Sequence, residues 1–334
     1  MEKWKDELGN LITTVEELKK YITIPDDELD SIGIGNGIFP LMITPYYAKV
    51  LSSLPQNHPL FKCILPSAIE KESVEFLPNF KKEEEFSHGI KGLRIELSGR
   101  ASIIATHFCP NHCRYCFRKY YVNIGHGTLT LSDFDKIIEY IKNDETITEV
   151  CLSGGEPLTL PDSILEYLFT AMATIPHVKV MRIFTRALAV LPSRITPELV
   201  KILKAFSTLY IIAHFDHKDE LTKETIEASR ALSDNGIPVF SSTVLLKGIN
   251  DSAQILGDLF SFCVENKIKP LYLYHCVPAM GVKHFMTTVE LGTDIIAELY
   301  STMSALSIPL YSVPLLGSKA LAMPCMKEKY EKEL

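Results

Sequence analysis

The sequence predicts an α/β fold: a partial (β/α)6 barrel with an N-terminal helical extension. Between about residues 97 and 277, six short β-rich runs alternate with five amphipathic helical stretches. Alternation repeated this often means a parallel sheet with helices outside it. The chain has 334 residues, 46% hydrophobic and 22% charged, which is ordinary globular composition and long enough for one barrel with an appended segment.

The elements follow in chain order. Residues 1–95 carry helical patterns over 14–21 and 43–53, several prolines, and the charged stretch KKEEEF at 81–86; they read as an extension that wraps the core. The barrel is expected over 96–285. Its strands are read at 100–106, 148–153, 178–185, 208–214, 238–246 and 271–276, where runs such as RASIIAT and PVFSSTVLL are rich in β-branched and apolar residues. Helices are read near 131–143, 161–173, 196–206, 220–235 and 252–266. Residues 286–334 form a C-terminal segment. In barrels of this kind chemistry sits at the C-terminal ends of the strands.

Charge and hydropathy narrow the function. Net charge is −7 and there is no Lys/Arg block, so a nucleic-acid backbone is not the expected partner. No stretch of about 18 apolar residues is present to span a membrane. The N-terminal MEKWKDELGN lacks the apolar core of a signal peptide, so a cytoplasmic chain is expected.

Cysteines occur at 63, 109, 113, 116, 151, 263, 276 and 325. Three of them fall within eight residues, in THFCPNHCRYCFR, directly after the first barrel strand. Chance would give such a CxxxCxxC roughly 0.005 times in a chain of this length and cysteine content. Thiolates are soft ligands suited to iron–sulfur clusters. Cys109, Cys113 and Cys116 can hold three irons of a [4Fe–4S] cubane and leave the fourth open for chemistry. Tyr115 is an aromatic placed to shield it. Zinc is the competing metal; it needs a fourth protein ligand, and His107 or His112 is at hand. Cys151, in a strand, and Cys263, in a helix, read as small buried apolar residues.

Ser153-Gly154-Gly155-Glu156-Pro157 ends the second strand. Two glycines let a backbone approach a ligand closely, and the segment with its Glu156 carboxylate is a candidate to grip an ammonium. Coming after CxxxCxxC at the next strand end, this pattern resembles the radical S-adenosylmethionine (SAM) superfamily, with its partial, TIM-like barrel. That resemblance implies that SAM fills the open iron and that Gly154, Gly155 and Glu156 hold its methionine amine.

The segments CRYCFRK, ITPYYAKVL, VLPSRITPELV, FDHKDELTKET, VLLKGIND and YLYHCVPAMGVKHF resemble the lysine 2,3-aminomutase family. CRYCFRK is similar to the short bacterial branch that makes β-lysine for elongation factor P. The likeness runs from about 40 to 323. It implies an isomerase that moves an amino group from C2 to C3 of an amino acid, using [4Fe–4S], SAM and pyridoxal 5′-phosphate (PLP). It implies Lys319, in VPLLGSKALAMP, as the PLP lysine. Arg100 then binds the PLP phosphate and Arg118 the substrate α-carboxylate, a pairing suited to guanidinium. Tyr274 and His275 are further candidates to line the pocket. The partners implied are a small amino acid and an electron donor for the cluster.

The sequence departs from the lysine enzymes where their two aspartates meet the substrate's distal ammonium. Val277 and Ser312 stand there. A buried ammonium without a counter-charge costs several kcal/mol, so an amino acid with an uncharged side chain is expected. The family's C-terminal zinc bridge has only Cys325 near its place, and Ser252 stands at the upstream position, so any homo-oligomer is expected to lack that bridge. Three other readings stay open: another SAM- and PLP-dependent outcome on an amino acid, a PLP-independent radical enzyme, and a non-enzymatic metal protein.

Overall fold

The structure, a computed structural model, describes residues 2–72, 86–97, 99–122, 127–315 and 318–321; at 96–97, 314–315 and 318–321 only the backbone is described. Most of KKEEEF, together with Cys325, lies outside these residues.

One nine-stranded sheet runs in sequence order through β1 (Leu93–Leu97), β2 (Arg100–Thr106), β3 (Glu149–Gly154), β4 (Val180–Thr185), β5 (Leu209–His214), β6 (Val239–Leu245), β7 (Ile268–His275), β8 (Leu310–Leu315) and β9 (Ser318–Leu321). Strands β2 to β8 are parallel; β1 and β9 are antiparallel to their neighbours. Helices cross over between the parallel strands, among them Leu131–Asn143, Asp162–Ala173, Pro197–Leu203, Lys223–Ser233, Ala253–Glu265 and Val289–Thr302. Six βα units are therefore present, as expected, and β8 adds a seventh parallel strand that the sequence reading did not contain. Pro314 inside LYSVPL argues against a strand by local rules; it sits at the end of a strand next to the sheet's edge, where proline is tolerated.

Local chemistry sets the helix starts. Thr130, Thr196, Thr222, Ser252 and Thr288 each accept a hydrogen bond from the N–H three residues on, satisfying one of the donors a helix start leaves open. The strands have two faces. Leu152, Ile183, Ile211 and Val239 lie in register, are at most 2% exposed and belong to the main apolar cluster. The alternate set, including Arg100, Ser102, Glu149, Arg182 and Phe184, is half-buried and lines the barrel's lumen.

The extension packs onto the barrel from outside. Ile12 bridges to Ile43, Trp4 lies buried under the Arg194 guanidinium at 4.3 Å, and Thr44 Oγ1 donates to Val190 O at 2.5 Å. Its helices at Val15–Leu18 and Pro45–Ser52 match the two expected patterns. The boundary placed at 95/96 falls inside β1, and residues of the extension belong to the same apolar cluster as the barrel's outer layer. Among the described residues no helix is long and apolar enough to cross a membrane.

Candidate active site

The cysteine loop leaves β2 at Thr106. Within it Cys116 N–H donates to Cys113 O at 2.9 Å, and Asn111 Nδ2 donates to Cys113 Sγ at 3.6 Å. All three cysteines are half-buried. Burial pushes the Cys109 thiol well above its ordinary range, Cys113 up to about 11, and Cys116 up. These sulfurs would therefore become thiolates only as a metal binds and displaces their protons to solvent. Tetrahedral zinc would need its sulfur ligands about 3.8 Å apart. The three sulfurs do not all lie within 4.8 Å of one another, a wider set than a mononuclear zinc site uses. His112, one of the two histidines available to zinc, is turned into the extension: its ring stacks on Phe39 at 4.3 Å and Nδ1 donates to Pro40 O at 2.7 Å. The donor set fits a cluster held by three cysteines.

Two buried charge networks hold this loop. In the first, Arg114 is fully buried and forks onto Glu70, Nε to Oε1 and Nη2 to Oε2, both 2.8 Å, while Nη1 donates to Phe39 O at 2.7 Å. Lys119 Nζ donates to Arg114 O at 2.6 Å and lies 3.6 Å from Glu70 Oε2. Burial lowers Lys119 to about 8 despite that carboxylate. Extension residues 35–70 thus clasp the loop from one side.

The second network lies under the loop. Tyr115 O–H donates to Asp216 Oδ2, and Arg186 Nη1 donates to the same carboxylate at 2.8 Å and to Tyr115 Oη at 2.7 Å. Arg186 Nη2 reaches Glu220 Oε1 at 2.6 Å, and Tyr47 O–H donates to that oxygen at 2.5 Å. His214 Nε2 lies 2.9 Å from Asp216 Oδ1. Tyr115, assigned from sequence only to shield the cluster, is the knot that joins the loop to the ends of β4 and β5. Sequence reasoning missed Arg186, Asp216 and Glu220. Their signal was present in FTRAL and FDHKDEL, where charges follow a strand end directly and flank apolar residues.

The glycines pack the segment against the cysteine loop. A Cβ on Gly154 (φ +135°) would lie 2.3 Å from Thr106 O, and one on Gly155 2.1 Å from Phe108 O. Gly155 N–H donates to Thr106 O at 2.6 Å and Glu156 N–H to Phe108 O at 2.8 Å. The close approach shown is to the start of the cysteine loop, and these two N–H donors are spent on it. The Glu156 carboxylate is 1% exposed and turned inward: it accepts from Thr185 Oγ1 (2.7 Å), Leu158 N–H (3.1 Å) and Arg186 N–H (2.7 Å). Burial raises its pKa against the pull of those bonds. The backbone carbonyls of the segment are the acceptors suited to an ammonium.

Inside the lumen, Arg100 begins β2 and is half-buried beside Cys151, whose thiol burial pushes up to about 11 against the pull of Arg182 and Arg100. Arg182 is bound to Glu149. Ser312, 1% exposed, pairs in register with Tyr274, so both face the lumen; burial pushes the Tyr274 hydroxyl's pKa up. Val277 is half-buried, two residues beyond β7. His275 does not line the lumen: it points to the opposite face, 2.7 Å from the Tyr311 hydroxyl. Arg118 is half-buried in the turn after Cys116, its guanidinium 5.4 Å from the Phe117 ring. Lys319 sits on β9, opposite Pro314 of β8, which places its backbone on the same hairpin as Ser312. Its side chain lies outside the described residues.

Residues 103–259 match the family described as the Radical SAM superfamily. The chain is 34% identical over 323 residues to L-lysine 2,3-aminomutase of Clostridium subterminale, covering 96% of this chain and 78% of that protein. It is 37% identical over 317 residues to the putative L-lysine 2,3-aminomutase of Aquifex aeolicus, covering 94% and 85%. Against glutamate 2,3-aminomutase of Clostridioides difficile it is 32% identical over 324 residues, covering 96% and 76%. The fold is also similar to that of Streptococcus suis SuiB bound to S-adenosylmethionine, at a TM-score of 0.50 and 17% identity over 71% of this chain and 55% of that one. Sequence, fold and the three-cysteine loop agree: the chain belongs to the lysine 2,3-aminomutase family of the radical SAM superfamily.

Proposed function

We propose that this isomerase is a PLP-dependent 2,3-aminomutase acting on an amino acid with an uncharged side chain. Cys109, Cys113 and Cys116 would hold the [4Fe–4S] cluster, which supplies the electron that cleaves SAM. The Gly154–Gly155 carbonyls would take the SAM amine, with Glu156 as the brace that fixes that segment. Lys319 and Arg100 would hold PLP, which supplies the π-system that makes nitrogen migration possible.

The chain's own residues bind and orient. Arg118 pairs with the substrate carboxylate through its planar fork. Ser312 and Val277 border the side-chain end of the pocket and bring no charge.

The observation that supports an uncharged substrate is the fate of the carboxylates. On the lumen face Glu149 is bound by Arg182, and behind the loop Asp216 and Glu220 are bound by Arg186. A lysine ammonium entering beside Ser312 and Val277 would meet no carboxylate at those two positions, at a cost of several kcal/mol. The Arg182–Glu149 pair likewise argues against a glutamate-type side chain.

The test is anaerobic reconstitution with iron, sulfide, SAM, PLP and dithionite, with lysine, glutamate and an aliphatic amino acid such as leucine supplied separately. The expected result is 5′-deoxyadenosine and a β-amino acid from an uncharged substrate, with lysine and glutamate at least tenfold poorer. Lysine as the best substrate would overturn the proposal.

A further inference from the structure

His58 of the extension meets His217 and Asp219 of the loop after β5, and none of the three was assigned a role in the site described above. Each offers a ligand atom, and these atoms all lie within 4.8 Å of one another. His58 Nε2 is 2.9 Å from Asp219 Oδ2, and His217 Nδ1 is 3.3 Å from the same oxygen. The two rings meet edge to face, 4.7 Å between centroids. Tetrahedral zinc, with bonds of about 2.0–2.1 Å to nitrogen and oxygen, sets its ligand atoms about 3.3 Å apart. The two separations from Asp219 Oδ2, 2.9 and 3.3 Å, are close to that spacing, and the two nitrogens lie within 4.8 Å of each other.

We propose that His58, His217 and Asp219 form a binding site for a divalent late transition metal of the zinc class. Two imidazoles and one carboxylate are a donor set such ions favour over magnesium or calcium. The imidazole side chains are only 11% and 14% exposed, whereas Asp219 is 42% exposed. The nitrogens are therefore sheltered and the carboxylate stands at the rim, where water can complete the coordination. His58 lies 159 positions before His217 in sequence, so the fold and not local loop propensity brings it to the His217–Asp219 pair.

Their present hydrogen bonds do not oppose ligation strongly. His58 Nδ1 accepts from Leu60 N–H, and His217 Nδ1 from Asp219 N–H, each at a long 3.3 Å. Ligation through His58 Nε2 moves that ring's proton to Nδ1 and gives up the first contact. Ligation through His217 Nδ1 takes over the lone pair of the second. Contacts of that length are weak.

The position gives the ion a consequence. His58 belongs to the extension and starts the turn Pro59–Cys63, whose Cys63 carbonyl accepts from Arg114 N–H of the cysteine loop. His217 and Asp219 lie between Asp216 and Glu220, the two carboxylates that hold Arg186. A metal here clamps together the two segments that grip the cysteine loop from opposite sides. At a hundredfold excess over its Kd, mass action predicts a rise in Tm of about 4 °C.

The experiment uses the cluster-loaded protein, so that the loop cysteines are occupied, with zinc added and the excess removed. Elemental analysis is expected to find one zinc per chain, lost at least tenfold in His58→Gln and His217→Gln with iron content unchanged. Zinc-edge X-ray absorption of the wild type is expected to show only nitrogen and oxygen ligands near 2.0 Å, without sulfur near 2.3 Å. Absence of zinc, zinc retained in both variants, or a sulfur shell would overturn the proposal. Should the variants lose iron or fail to fold, the wild-type stoichiometry and ligand shell decide it alone. Neither readout involves turnover, so the site stands or falls apart from the aminomutase reading.

Discussion

Arg186, just past β4, and Asp216, just past β5, form an ion pair of 2.8 Å in which both partners are buried. Burial alone would raise the Asp216 carboxyl; the charges of His214 and Arg186 outweigh it and hold it below its usual range. Removing one member leaves the other charged and without its partner in a low-dielectric site. Asp216→Asn or Arg186→Met is expected to destabilise the fold by about 3–5 kcal/mol. Urea unfolding of the cluster-free chain checks this. A loss under 1 kcal/mol would show that the network relaxes or takes up water.

The other clasp makes a parallel prediction with a different readout. Glu70→Gln strips the counter-charge from Arg114 and Lys119, and the cysteine loop loses its hold on the extension. The reconstituted variant should lose iron to a chelator at least tenfold faster than wild type. Equal rates would mean that the Tyr115 side of the loop suffices.

The contrast between these networks and the motifs shows what was legible. The Cys109, Cys113 and Cys116 motif could be read because its three cysteines are local in sequence. The six βα units could be read because strand and helix periodicities are local too. Glu70 and Arg114 are separated by 44 positions, and Arg186 and Asp216 by 30; each looks like a surface charge until the fold pairs it. Strand β8 was hidden by Pro314. The glycine pair was read as a point of close approach, and the atoms it approaches here, Thr106 O for Gly154 and Phe108 O for Gly155, come from the end of β2 and the loop after it, which no pattern local to the glycines specifies.

Gly155→Ala tests that contact. Its Cβ would fall 2.1 Å from Phe108 O, a backbone atom that cannot move without shifting the cysteine loop. Iron incorporation should fall at least fivefold. Gly37→Ala is the control: it lies in helix Leu29–Ile38 with nothing within 4 Å of a new Cβ. That change should stabilise the fold by about 0.5–1 kcal/mol and leave iron content unchanged.

His112 makes stability depend on pH. Burial lowers its pKa from the ordinary 6.5 to about 4. The unfolded chain therefore takes up a proton before the folded one does. Stability falls as pH drops from about 6.5 and the loss is complete near pH 4, reaching roughly 3 kcal/mol from this group. His112→Asn keeps a donor for Pro40 O and has nothing to titrate. Its stability should fall less steeply than wild type between pH 6.5 and 4; identical slopes would remove His112 as the cause.

Lys319→Ala separates the two cofactors. The variant should lose the visible absorbance of bound PLP and all amino acid isomerisation, while the cluster still forms and SAM is still cleaved slowly under dithionite. Retention of the PLP spectrum would place the lysine elsewhere.

The most direct measurement is a competition. The fully loaded enzyme is given all twenty amino acids together, each carrying 15N at its α-amino group, and β-amino acids are sought by fragment mass spectrometry. One dominant product is expected, from a substrate with an uncharged side chain, with the label at C3 and its formation dependent on SAM. β-Lysine as the dominant product, or SAM cleavage with no labelled β-amino acid, would contradict it.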